Sequence, residues 1–157
     1  MKKIFFGASL LLIALGLSSC TKVASPNNLL FTIHSNEWYS AGTSGSPNYI
    51  YSYSRSVSEI TADVVTSGAV LGYVYTNGGY WAALPFTETY SGYTVNYNYS
   101  YKDGELLVIR KDSDLLTAAP GIDIDFKFVI LTSKQSELLN GVDVNNYYEV
   151  AEALEYK

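Results

Sequence analysis

The chain has 157 residues, with 15 acidic and ten basic side chains and a formal net charge of −5. That length bounds one domain with a real core. The negative balance is the wrong sign for nucleic acid, which needs clustered Lys and Arg to replace counterions.

Met1-Lys2-Lys3 supplies a short positive segment, and Ile4 to Leu17 is apolar apart from Gly7, Ser9 and Gly16. Leu17-Ser18-Ser19-Cys20 then sets small residues before the only cysteine of the chain. Charge, apolar stretch and small residues in that order make a secretory leader. The apolar stretch is about 14 residues, short of the ~20 that span a bilayer. Its ending resembles the bacterial lipobox. The resemblance implies cleavage before Cys20, a diacylglycerol on its thiol and loss of residues 1–19. The expected location is the bacterial cell envelope, most naturally the outer membrane, with the lipid on Cys20 as the membrane contact. Thr21-Lys22-Val23-Ala24-Ser25 has no acidic run, which leaves the surface and periplasmic faces both open.

Lys2 and Lys3 leave with the leader, so eight basic side chains face 15 acidic ones in the mature chain. No polybasic segment remains to add to the lipid. No cysteine remains for a disulfide, so packing alone must hold the fold.

Residues 20–28 read as lipidated Cys20 and a tether that reaches about 25–30 Å when extended. Residues 29–157 read as a single β-rich domain. Leu29 to Ala41 is a first strand, ended by the Gly42 to Pro47 cluster. Tyr49 to Val57 follows, with Tyr49, Tyr51, Tyr53 and Arg55 on one face. Ile60 to Ser67 lacks alternation; Thr61 is placed to cap a helical turn and Gly68 to end it.

Two hairpins come next. Ala69 to Thr76 and Tyr80 to Thr87 flank Asn77-Gly78-Gly79, and Tyr93 to Tyr101 and Glu105 to Lys111 flank Lys102-Asp103-Gly104. Asn-Gly and Asp-Gly supply the positive φ angles of tight turns. Ile122 to Thr132 alternates and then becomes the run Phe128-Val129-Ile130-Leu131, which suits a strand buried on both faces. After a polar loop from Ser133 to Gly141 the period turns helical. Asp143 or Asn145 is placed to cap, and Tyr147, Val150, Ala151 and Leu154 share one face. Seven strands, a helical turn and a terminal amphipathic helix predict an all-β, mainly antiparallel domain, a sandwich or a partly open barrel. The helix is expected over an open end or a sheet edge.

Ile60-Thr61-Ala62-Asp63-Val64-Val65-Thr66-Ser67-Gly68-Ala69-Val70-Leu71-Gly72-Tyr73, followed by Trp81-Ala82-Ala83-Leu84-Pro85-Phe86, resembles a group of secreted proteins and lipoproteins of Bacteroidetes-type bacteria. Its members pair a segment of the form ITxxVxxxGAVLxY with a later LPF or LPY. The resemblance implies a small exported β-rich domain and carries over no catalytic or binding residue.

Chemistry has few candidates. His34 is the only histidine. Its neighbour Glu37 is three residues away, on the opposite face of a strand, so the two do not form a base and its orienter. Asp112-Ser113-Asp114 and Asp123-Ile124-Asp125 alternate carboxylates as calcium loops do, but without the central Gly and terminal Glu of the twelve-residue loop. No nucleophile motif and no phosphate-cradling loop is present. No residue pattern asks for a metal or cofactor. A non-catalytic module is favoured over a carboxylate-dependent glycosidase.

The strongest hint is aromatic. Tyr93, Val95, Tyr97, Tyr99 and Tyr101 occupy one face of a strand, and all 15 tyrosines fall after Cys20. Facing inward they are core; facing outward they are a stacking platform. Val95 favours the inward reading. The ligand-binding candidates are Tyr97, Tyr99, Trp38 and Trp81. The expected role is a scaffolding or binding lipoprotein for an envelope protein, with glycan binding as the alternative.

Overall fold

The computed structural model describes residues 25–116 and 118–155. The leader, Cys20 and the first part of the tether lie outside the described residues.

Nine strands are present among the described residues, and every pairing is antiparallel. One sheet has four strands, β1 (Asn27–Ile33), β9 (Ile124–Leu131), β4 (Ala69–Tyr75) and β5 (Trp81–Ala83), in that spatial order. The other runs β2 (Tyr39–Ala41), β3 (Ile50–Ser56), β8 (Glu105–Asp112), β7 (Tyr93–Lys102) and β6 (Phe86–Tyr90). The sheets pack face to face as a sandwich, and the barrel alternative is set aside.

The two additional strands arise where local chemistry breaks a longer run. Leu29 to Ala41 splits because His34 to Glu37 forms a turn, closed by the Glu37 N–H donating to the His34 carbonyl at 2.9 Å. Tyr80 to Thr87 splits at Pro85, which has no N–H for the ladder. The chain crosses there from β5 to β6, and so from one sheet to the other, through a cis Leu84-Pro85 bond. Both hairpin turns form, but in each only the last residue takes a positive φ, Gly79 at 79° and Gly104 at 73°.

The core lies between the sheets. Phe31 stacks on Phe128 at 5.8 Å and on Tyr53 at 5.9 Å, tying β1 to both β9 and β3. The Tyr93–Tyr101 row points inward: Val95 and Tyr97 are buried, and Tyr99 meets Phe128 edge-on at 5.3 Å. Its hydroxyl donates to the Val70 carbonyl at 2.6 Å, spanning the sandwich. Fully burying a side chain such as Phe128 stabilises the fold by about 1.5–3 kcal/mol.

A second apolar cluster explains the Phe128–Leu131 run. Phe128 and Ile130 face the sandwich, while Val129 and Leu131 face outward against Tyr73, Leu139, Val150 and Leu154. The terminal helix α3 (Tyr147–Ala153) therefore covers an outer sheet face, and its N-cap Asn146 bridges to Ala82 on the edge strand β5. The sheet offers the buried side chains of Tyr73, Val129 and Leu131 to the Tyr147–Val150–Leu154 stripe. Its cap is Asn146, whose side chain accepts from the Tyr148 N–H at 3.1 Å; Asp143 and Asn145 form a turn just before it. The stretch after β9, expected as a polar loop, is itself helical. Thr132 and Gln135 make a capping box for α2 (Ser133–Ser136), and a 3-10 turn (Glu137–Leu139) follows.

The helix α1 (Ala62–Ser67) is capped by Thr61 and ended by Gly68. Gly68 is extended, not left-handed; a Cβ there would collide with the Leu131 carbonyl oxygen. Close approach of backbone to backbone is the reason for that glycine.

Candidate functional site

Where the outer face of the four-stranded sheet meets α3, a row of rings is left partly in the open. Tyr75 on β4 and Trp81 on β5 are cross-strand partners with centroids 5.1 Å apart. Trp81 lies 6.0 Å from Tyr147, the first residue of α3, and Tyr147 is 5.6 Å from Tyr148. Tyr75 and Tyr148 are 44% and 57% exposed, Trp81 is half-buried and Tyr147 is buried beneath them. Lys127 on β9 fixes the row from below. Its Nζ sits 4.3 Å from the centre of Trp81 and 4.1 Å from that of Tyr147, and donates to the Tyr147 hydroxyl at 2.9 Å. A cation held over two rings is favourable and orients both.

The row runs into a groove of about 270 Å³ at the end of the sandwich, lined among others by Tyr75, Asn77, Glu88, Tyr90, Asp123 and Asp125. The polar groups in it are held in place. Glu88 accepts from the Tyr90 hydroxyl at 2.7 Å and from Asn77 Nδ2 at 3.2 Å. Asp125 accepts from the Thr32 hydroxyl at 2.6 Å. Asp123 takes the His34 ring at 2.8 Å and the Ser35 N–H at 2.9 Å. Burial, then the Glu88 hydrogen bond, push the Tyr90 phenol well above its ordinary range, so it stays a donor. The His34 hydrogen bond holds the Asp123 carboxyl below its ordinary range. An acid catalyst needs the opposite displacement. Each carboxylate oxygen has lone pairs to spare after these contacts. The groove can accept hydrogen bonds from a ligand's hydroxyl or amide groups while Tyr75 offers a ring face beside it. Among the described residues no group of three or more His, Cys, Asp or Glu comes together to hold a metal.

Of the sequence candidates, Trp81 belongs to this site. Tyr97 lines the same groove, although it is buried and edge-on to Phe126 at 6.0 Å; Trp38 is not among the lining residues and is buried edge-on to Phe126 at 6.3 Å. Tyr99 is half-buried and donates its hydroxyl to the Val70 carbonyl. Cys20 lies outside the described residues. His34 pairs with Asp123 and not with Glu37, which instead accepts from the His34 backbone N–H at 2.7 Å. Sequence reasoning missed Tyr75, Tyr148 and Lys127. The signal for Lys127 was in plain view, a lone charge between Phe126 and Phe128 on a strand otherwise apolar toward its end.

No family model matches the chain, and no curated protein or solved structure matches it.

Proposed function

We propose that this protein is a lipid-anchored module of the bacterial cell envelope that binds a partner protein through the Tyr75–Trp81–Tyr148 row and performs no chemistry of its own. The observation that carries the reading is the row itself: large rings left open beside a sheet face that α3 otherwise roofs, and fixed by Lys127. Aromatic residues on a rigid support are the usual energetic centres of protein interfaces. The lipobox-like ending at Cys20 supports the anchor and the envelope location, as does the likeness to exported β-rich lipoproteins. A short tether keeps the domain close to the lipid.

Two measurements test this. Mass spectrometry of the purified protein should find an N-terminus at Cys20 with acyl mass; an intact leader or a free thiol contradicts the anchor. Capture from solubilised envelopes with wild type should retain a protein that the Tyr75→Ala/Tyr148→Ala chain fails to retain. Equal capture by both contradicts the surface.

The groove favours a second reading, a glycan. Its volume is near the foot of the range for small-molecule sites, about 300–1,000 Å³, room for a single sugar ring against Tyr75 with Asn77 and Glu88 on its hydroxyls. Titration calorimetry against a panel of envelope polysaccharides decides it: saturable heat lost in Asn77→Ala supports the glycan, and no heat across the panel rejects it.

A further inference from the structure

Sheet edges expose unpaired N–H and C=O groups, and natural chains blunt them with brevity, charge or cover. This sandwich has four edges. β2 and β5 are three residues each, and Ala82 of β5 is further bridged to Asn146. β6 has five residues with the carboxylate of Glu88 at its centre. Among the described residues β1 has none of these devices. It is seven residues long, Asn-Asn-Leu-Leu-Phe-Thr-Ile, without a charge, and pairs only with β9 among the described residues. Its central residue, Leu30, is 60% exposed.

We propose that the free edge of β1 pairs antiparallel with β1 of a second copy, about a two-fold axis at Leu30, joining two four-stranded sheets into one of eight. The polarity of the strand selects this occupant and this register. With Leu30 opposite the partner's Leu30, Leu29 meets the partner's Phe31 and Asn28 meets the partner's Thr32. Apolar pairs with apolar and polar with polar at all five central positions. Directly opposed residues share a face of the sheet, so Leu29 and Phe31 extend the inner, core-facing side. The Leu30 pair and the Asn28–Thr32 pairs extend the outer side. A slip of one residue would turn the inner side of one copy outward. The contact is isologous, the same patch used twice, and therefore closes as a dimer. It does not depend on the function proposed above. If the lipid anchor also holds, Cys20 lies about seven residues before β1, within ~25 Å along an extended chain, and confinement to one membrane raises the effective concentration of the two edges.

Sedimentation of the full-length protein in density-matched detergent tests the proposal. Wild type should have the mass of a dimer. Leu30→Lys, at an exposed outer-face position, should be folded but monomeric, with a melting temperature that no longer rises with protein concentration, because two like charges then stand opposite each other. In an antiparallel pair the opposed Cα atoms are about 4.5–5.5 Å apart, within reach of a disulfide. A Leu30→Cys chain should therefore oxidise to a covalent dimer, while Tyr148→Cys, exposed on α3, should not. Monomeric wild type at every concentration overturns the proposal. So does a dimer that survives Leu30→Lys and fails to link through Leu30→Cys, since its interface then lies elsewhere.

Discussion

Arg110 and Asp112 sit two residues apart on one face of β8 and pair with each other inside the sandwich, Nε to Oδ1 and Nη2 to Oδ2, both at 2.8 Å. Neither residue is more than 6% exposed. Tyr51 and Tyr97 flank Arg110 across the strands, and burial pushes both phenols up to about 12. Removing one partner strands a buried charge, at a cost of about 3–5 kcal/mol. Asp112→Ala should therefore lose that much in chemical denaturation. Arg110→Met/Asp112→Leu, which removes both charges, should recover most of it. A single substitution as mild as the double would show that the pair is not desolvated.

Gly72 should be intolerant for a reason of space. A Cβ there would lie 2.7 Å from Phe128 and 3.0 Å from Tyr99, the two rings that meet across the sandwich. Overpacking of this kind costs about 1–3 kcal/mol. Gly72→Ala should lower stability by that amount, and Tyr99→Phe by about 1 kcal/mol for the lost hydrogen bond to Val70. An unchanged melting curve for Gly72→Ala contradicts the close approach.

The His34–Asp123 pair predicts a pH signature. The Asp123 hydrogen bond raises the His34 pKa above 6.5, so its contribution is full below that value and fades as pH rises through the folded pKa. The His34 hydrogen bond lowers the Asp123 pKa beneath 3.8, so its contribution is full above that value and fades as pH falls through the folded one. The melting difference between wild type and His34→Gln should be largest near pH 5 to 6, about midway between the ordinary values, and should vanish under alkaline conditions. A difference that grows with pH contradicts the pairing.

Lys127 should be worth more than a surface lysine. Its ammonium faces two rings and one hydroxyl, an arrangement that contributes about 0.5–2 kcal/mol. Lys127→Met should lose stability in that range and change the emission of Trp81, read in a Trp38→Phe background. Unchanged emission would mean that the cation does not touch the indole.

Strand type, both hairpin turns, the Thr61 cap and the buried stripe of α3 were legible because each depends on residues close in sequence. The position of α3 was not, since which surface a stripe covers is a tertiary matter; the doubly apolar run Phe128–Leu131 was the hint that something roofed the sheet. Tyr97 and Trp38 show the same divide. Alternation assigns Tyr97 to a face but not to a side of the sheet, and Val95 was the only local clue that the face is inward. Trp38, in the turn between two strands, has no period at all. The aromatic row draws on β4, β5 and α3, with Lys127 from β9, and no spacing in the chain announces it.

The proposed binding surface is the set of open rings, Tyr75 and Tyr148 beside Trp81. Full-length wild type and Tyr75→Ala/Tyr148→Ala should be titrated against the protein captured from solubilised envelopes and their Kd values compared. Loss of two exposed ring anchors at an interface centre should weaken binding by about 2 kcal/mol or more, some thirty-fold, with the melting temperature of the variant unchanged. Superimposable binding curves for the two proteins would contradict the assignment.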